Sequence, residues 1–147
     1  MNSKKFQETV VNYVVKHIVI KYSDKDGRNG YDALCPILRR KIGIIRYTEA
    51  SNDFQLYSFQ VDEKYQQRGI GRKLLAHVVN LALQEGISQI YVAPAPCTDL
   101  KKKTEHYCTT DILEKIYEKY GFEKQHDAEP TTGPKFYFLD SKKFSRF

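Results

Sequence analysis

Val61-Asp62-Glu63-Lys64-Tyr65-Gln66-Gln67-Arg68-Gly69-Ile70-Gly71-Arg72-Lys73-Leu74-Leu75 joins two kinds of hydrophobic periodicity within one short stretch. Upstream, residues 54–61 (FQLYSFQV) set Phe54, Leu56, Tyr57, Phe59 and Val61 among polar neighbours, which predicts a strand. Downstream, Leu74, Leu75, Val78, Val79 and Ala82 recur at three-to-four spacing. That spacing predicts an amphipathic helix over residues 71–85, with Gly86 as its C-terminal cap. Between the two, Gly69 and Gly71 lack a Cβ, so the backbone can turn tightly and come close to a ligand. The first N–H groups of a helix have no partner within it and carry the positive end of its dipole. Such an end suits an anion, a pyrophosphate included, and Arg68, Arg72 and Lys73 add formal positive charge around it. The plainer reading of the same glycines is a tight turn that opens a helix.

Outward from this segment, residues 13–22 (YVVKHIVIKY) are rich in Val and Ile and predict a strand. Residues 23–30 (SDKDGRNG) and 48–53 (TEASND) read as turns. Residues 31–38 and 41–47 read as one bent strand or two short ones, with Pro36 at an edge or a bulge. After the central helix, residues 87–92 form a short apolar strand, followed by a long polar segment over residues 93–110. Asp111 and Glu114 then give an N-cap signature for a helix through Tyr120, ended by Gly121. Residues 122–125 and 135–139 predict further strands. The order is strands, helix, strand, helix, strands. It implies an α/β (α+β) domain around a mixed, mostly antiparallel central sheet with helices on both faces. The unit over residues 54–92 should be a right-handed parallel strand–helix–strand crossover. No repeat, low-complexity tract or linker interrupts the chain, so residues 1–147 are expected to form a single domain.

Composition narrows the function classes. The chain holds 24 Lys and Arg against 18 Asp and Glu, a net +6, which favours an anionic ligand without choosing one. No apolar run approaches the length of about 18 residues that a membrane span needs. No small-residue cleavage site follows the N-terminal residues, so a cytoplasmic protein without membrane attachment is expected. Cys35, Cys97 and Cys108 form no CxxC pair and number three, which fits reduced thiols rather than a disulfide framework. Cys97, His106 and Cys108 are the one cluster that a metal could use, and packed or solvent-facing thiols are the better account, so no metal is expected. The run Lys101-Lys102-Lys103 and the basic tail over residues 142–146 read as solvated surface.

Two nucleotide-binding patterns fail on spelling. A dinucleotide fingerprint needs a third glycine where Leu74 stands. A Walker loop needs Gly-Lys-Ser/Thr, whereas Gly71 precedes Arg72-Lys73-Leu74. The segment instead resembles the acetyl-CoA-binding signature of the GNAT superfamily of N-acetyltransferases, Arg/Gln-x-x-Gly-x-Gly/Ala between a strand and a helix. Gln66-Gln67-Arg68-Gly69-Ile70-Gly71 matches it, with Val61 five residues ahead and Leu74-Leu75 behind. A second family pattern, a helix ending in Tyr-x-x-x-Gly-Phe, is matched by Tyr117-Glu118-Lys119-Tyr120-Gly121-Phe122. The likeness covers residues 54–139 well and the first fifty poorly.

The resemblance implies a GNAT-like acyl-CoA N-acyltransferase fold with acetyl-CoA as co-substrate. Backbone groups of Gln67, Arg68, Gly69, Ile70, Gly71 and Arg72, introduced by Gln66, would hold the pyrophosphate. The strand around Phe59 to Val61 would splay from that at residues 90–92, with the pantetheine arm in the gap. A main-chain N–H near Val61 would polarise the thioester carbonyl. Tyr117 would be the general acid that protonates the departing CoA thiolate. The plainer reading of Tyr117 is an aromatic residue packed on a helix face, and Tyr107 and Tyr120 are nearby competitors for its role.

Departures from the family pattern concern the acceptor. The Glu that many members carry eleven residues before the Gln is Gln55 here, leaving Asp53, Glu49 or a water chain as proton sink. Thr110 and Leu113 stand where the family has Asn and Ala. The segment over residues 93–110, with Cys97, Asp99, His106, Tyr107 and Cys108, is longer than the family norm. Residues 23–30 are too short for the helices that usually shape the acceptor pocket, and residues 3–11 would supply a helix instead. The expected function is transfer of the acetyl group of acetyl-CoA to a primary amine, of a small molecule or a protein, by direct attack. The alternatives are a non-catalytic acyl-CoA-binding or sensing domain, and an acetyltransferase acting on RNA-linked amines. No RNA-reading motif supports the last. A homodimer through an exposed strand is compatible with the pattern.

Overall fold

The computed structural model describes residues 3–24, 28–92, 115, 117–124 and 137–146. Helix α1 spans Ser3–Lys16, followed by β1 (Val19–Ser23), β2 (Asn29–Leu34), β3 (Lys41–Ala50) and β4 (Asp53–Val61). A 3₁₀ turn at Glu63–Tyr65 leads into α2 (Ile70–Gln84), then β5 (Gln89–Val92), β6 (Glu123–Lys124) and β7 (Tyr137–Asp140). A 3₁₀ segment, Ser141–Arg146, comes last among the described residues. The strands pair in the order β1-β2-β3-β4-β5-β7-β6, one seven-stranded mixed sheet. β4 and β5 are parallel, while β1–β2, β5–β7 and β6–β7 are antiparallel. This is the fold class that the sequence implies, and α2 is the crossover between the parallel strands.

The chain divides into two compact units, Met1–Arg46 with Phe59–Val78 and Tyr47–Ser58 with Val79–Phe147. The boundary runs through β3, β4 and α2, so neither unit is a continuous piece of sequence.

In the first unit, the strand expected over residues 13–22 is corrected: residues 13–16 belong to α1, and β1 starts at Val19. Val10, Val11, Val14 and Val15 favour strand by propensity. Yet Val11 and Val14, three apart, share a helix face and are buried at 4% and 1% exposure. Such burial outweighs propensity differences of a few tenths of a kcal/mol per residue. Residues 31–47 form two strands, not one bent strand, and Pro36 sits in neither an edge nor a bulge but in the turn between them. That turn is closed by hydrogen bonds from Arg39 N–H to the Cys35 carbonyl (2.8 Å) and from Cys35 N–H to that of Arg40 (2.9 Å).

β2 and β3 approach so closely that a Cβ on Gly30 would lie 1.9 Å from the Ile45 carbonyl oxygen. Between them, Arg46 Nη2 meets Asp32 Oδ1 at 2.5 Å, and Lys41 Nζ stands 3.6 Å from Asp32 Oδ2. Arg46 Nη1 also donates to the carbonyls of Tyr31 and Ile45, each at 3.1 Å. The ion pair is buried, so these additional bonds offset part of the cost of taking both charges out of water.

In the second unit, the turn expected over residues 48–53 shrinks to Ser51 and Asn52, because β3 runs on to Ala50. Two residues suffice to join antiparallel neighbours, and Ser51 takes a left-handed φ of 54° to do it. Tyr47 and Phe54, on either side of the turn, stack at 4.3 Å. The last turn of α2 closes as expected at Gly86, φ 71°. Gly86 N–H bonds to the Leu83 carbonyl (3.2 Å) and Ile87 N–H to that of Ala82 (2.8 Å), the paired bonds of a Schellman cap.

The same pair recurs at Gly121, φ 98°, with Gly121 N–H on Glu118 and Phe122 N–H on Tyr117, each at 3.0 Å. The basic tail expected to be solvated is ordered instead. Phe144 is 1% exposed, Lys143 pairs with Glu123, and Ser141 N–H bonds to the Ser88 carbonyl (2.9 Å). A single phenyl ring in that tail supplies enough apolar area to fold it back.

Candidate functional site

β4 delivers the site. Its period of two buries Phe54, Leu56, Ser58 and Gln60, and leaves Gln55 and Tyr57 exposed with Phe59 and Val61 half-buried. Sequence reasoning read a strand here without assigning its faces. The pleat assigns faces by position rather than by polarity, so Ser58 and Gln60 point inward while Phe59 and Val61 line the more open side.

Beyond β4 the chain is held tightly. Asp62 N–H donates to the Ile42 carbonyl (2.8 Å), Tyr65 N–H to that of Asp62 (2.8 Å), and the Tyr65 ring is 4% exposed. Gln66 then runs extended at φ −68°, ψ 156°, and its Nε2 donates to the Val61 carbonyl at 2.8 Å. Gln67 (φ 61°) and Gly69 (φ 89°) both take left-handed backbone and reverse the chain into α2. The first bond of the helix is Lys73 N–H to the Gly69 carbonyl at 3.1 Å, which makes Gly69 the N-cap and starts the helix at Ile70, one residue earlier than its periodicity suggests. A Cβ on Gly69 would meet no atom within 4 Å, so the space before it is open.

By helix geometry the N–H groups of Ile70, Gly71 and Arg72 have no acceptor within α2. The first turn of α2 contains no acidic residue, and Arg72 and Lys73 stand exposed at its positive end. Cations there oppose the helix dipole. An anion bound across the turn would remove that conflict. The Arg68 side chain also reaches α1, where its Nη1 donates to Asn12 Oδ1 at 3.1 Å. Nothing local in the sequence signals a bond between residues 56 positions apart.

In the second unit, Tyr117 lies at 4% exposure with its ring edge-to-face on Phe122, centroids 5.5 Å apart. The Gly121 cap fixes that pairing. Tyr120 is half-buried, and Tyr107, Thr110, Leu113 and the whole segment over residues 93–110 lie outside the described residues, as does the cluster Cys97, His106 and Cys108. Cys35 is a buried free thiol, and no metal-binding group of side chains occurs among the described residues. None of the helices among the described residues is long and apolar enough to cross a membrane.

The register of the parallel strands places Asp53 opposite Gln89, Gln55 opposite Tyr91 and Leu56 opposite Val92. Residues 90–92 therefore stay paired with residues 54–56, and any splay from β4 belongs past Leu56. Tyr91 donates to Gln89 Oε1, and its phenol is pushed above the usual 10.0 by burial first and by the Asp53 carboxylate second. Alternation of buried Ile90 and Val92 could have put Tyr91 on the open face from sequence; its pairing with Gln55 could not, since register is not written in either strand alone.

The sequence matches the family model of the acetyltransferase (GNAT) domain over residues 33–124, well over half of the chain. The chain belongs to the GNAT acetyltransferase family. Comparison with curated proteins gives no significant match. Among solved structures, the fold is similar to an acetyltransferase of the GNAT family from Staphylococcus aureus (18% identity, TM-score 0.59, 95% of this chain and 96% of that one). It is also similar to the PaiA N-acetyltransferase from Thermoplasma acidophilum in complex with coenzyme A (14%, TM-score 0.57, 94% and 71%). A third is a Bacillus subtilis acetyltransferase in complex with CoA (13%, TM-score 0.58, 84% and 98%). At these identities the likeness is one of fold. With the family it makes this chain an acyltransferase domain.

Proposed function

We propose that the 147 residues work as one N-acetyltransferase domain that moves the acetyl group of acetyl-CoA to a primary amine by direct attack. The observation that carries this reading is the start of α2. An open glycine N-cap, three N–H groups without helical acceptors, and two exposed cations at the positive end of a dipole form a turn that an anion would complete. The CoA pyrophosphate is such an anion, and the backbone from Gln67 to Arg72 fits it. When bound, acetyl-CoA supplies an activated thioester.

The roles proposed for the chain's own groups are those that the family resemblance implies. A main-chain N–H near Val61 stabilises the negative charge that grows on the carbonyl oxygen. Phe59 and Val61, on the half-open face of β4, line the path of the pantetheine arm. The Tyr117 hydroxyl gives its proton to the leaving thiolate as the C–S bond breaks and the C–N bond forms. The amine must arrive neutral or lose a proton at the site, since a primary amine is protonated at neutral pH with a pKa of about 10.4. Asp53, Gln55, Gln89 and Tyr91 on the β4–β5 face present oxygen acceptors to it. Gln55 cannot take the proton, which is the one observation favouring a non-catalytic acyl-CoA-binding domain. Turnover with any amine removes that alternative.

The test is calorimetric titration of acetyl-CoA into the wild type and into Gly71→Glu, which puts a side chain and a negative charge on the first turn of α2. Saturable binding that is lost in the variant, with unchanged circular dichroism, is the expected result. A wild type that does not bind acetyl-CoA overturns the proposal.

A further inference from the structure

We propose that the Gln66 side chain is an internal strut, a positioning residue that shapes the loop before α2 and does not itself touch the phosphates. The inference rests on the reading of that loop as the pyrophosphate site and assigns Gln66 a role within it.

The peptide between Val61 and Asp62 is gripped at both polar ends. Its carbonyl accepts from Gln66 Nε2 at 2.8 Å, and its N–H donates to the Ile42 carbonyl of β3 at 2.8 Å. Inside the ring that Gln66 closes, Tyr65 N–H bonds back to Asp62 and Gln66 N–H to Glu63 (3.2 Å), with the Tyr65 ring buried beneath. The side chain of residue 66 thus returns to residue 61 and welds the end of β4 to the point where the loop begins. Immediately after it, Gln67 holds a φ of 61°, a conformation that disfavours any residue with a Cβ and persists only where its surroundings impose it. The strut is one such restraint, together with the Gln66 N–H bond to the Glu63 carbonyl.

Polarity argues the same way. One amide N–H of Gln66 is committed to a backbone carbonyl, and the oxygen beside it is an acceptor that a phosphate would repel.

The test uses Gln66→Met, which keeps the length and loses the donor without adding charge, and Gln66→Arg, which restores a donor. Amide hydrogen exchange is read on the protein without CoA, and CoA affinity by calorimetry. In Gln66→Met the amides of Asp62, Tyr65 and Gln66, which are bonded in the wild type, should exchange about tenfold faster while those of residues 75–80 do not change, and CoA should bind about five- to tenfold more weakly. Gln66→Arg should recover most of both. Unchanged exchange in Gln66→Met overturns the strut, whatever happens to CoA. A wild type that fails to bind CoA removes the cofactor reading, and with it the purpose of the strut, while the exchange result still decides whether the restraint exists.

Discussion

Tyr117 shows how much one side chain can be asked to do. Its ring is packed on Phe122 and its carbonyl accepts the N–H that closes the Gly121 cap, so the residue is structural whether or not its hydroxyl is chemical. Tyr117→Phe separates the two, because it removes one oxygen and keeps the ring. The expected outcome is a fall in kcat of about a hundredfold, the usual scale for loss of a general acid, with acetyl-CoA affinity within about twofold of wild type. Thiol release with any primary amine that supports turnover measures the first, calorimetry the second. The Tyr-x-x-x-Gly-Phe pattern was legible in the sequence because each of its letters has a backbone duty. Ser58 and Gln60 were not, since polar residues in a strand are read as surface until the pleat is known. Neither was the buried pair of Asp32 and Arg46, whose partners lie 14 residues apart on different strands.

At the scale of the element, α2 is where the sequence spoke most clearly. Its apolar spacing, its Gly86 cap and the glycines at its start each have a local cause, and all agree. Its charges do not agree with them, and that disagreement is informative. Arg72→Ala should raise the stability of the protein without ligand by about 0.3–1 kcal/mol, since it relieves a cation at the positive helix end. The same change should weaken CoA binding by about threefold to tenfold. Thermal unfolding with and without CoA measures both; a variant that is destabilised without ligand would show that Arg72 serves packing instead. α1 was the hardest element to read, because four valines carry a strand's composition on a helix's spacing. β5 was visible as a strand, yet its parallel register against β4, which brings Tyr91 beside Gln55, depends on the crossover as a whole.

For the whole molecule, the phenol of Tyr91 links stability to alkaline pH. Its folded-state pKa is raised above 10.0, by burial first and by Asp53 second, so the folded state holds the phenolic proton more firmly than the unfolded chain does. The contribution is fully present below about pH 10 and is lost as pH climbs from there through the folded pKa, because the unfolded chain ionises first. Tyr91→Phe should therefore flatten the decline in melting temperature above about pH 10 and leave the curve between about pH 6 and 9 parallel to that of wild type. An identical alkaline decline in both proteins would show that other groups govern it. The family and its fold could be inferred from two short motifs, since these fix backbone shape. The acceptor could not, because neither motif reaches the residues proposed to face it, such as Gln55 and Tyr91, whose pairing depends on strand register.

The closeness of β2 to β3 at Gly30 has a consequence for how far this sequence can drift. Even alanine, the smallest side chain available there, would drive its methyl carbon into a main-chain oxygen that the sheet cannot move without losing its own pairing. Position 30 is in effect a letter that the fold spells and the chemistry never sees. In a randomised library it should survive selection for folding alone, before any demand for activity is applied.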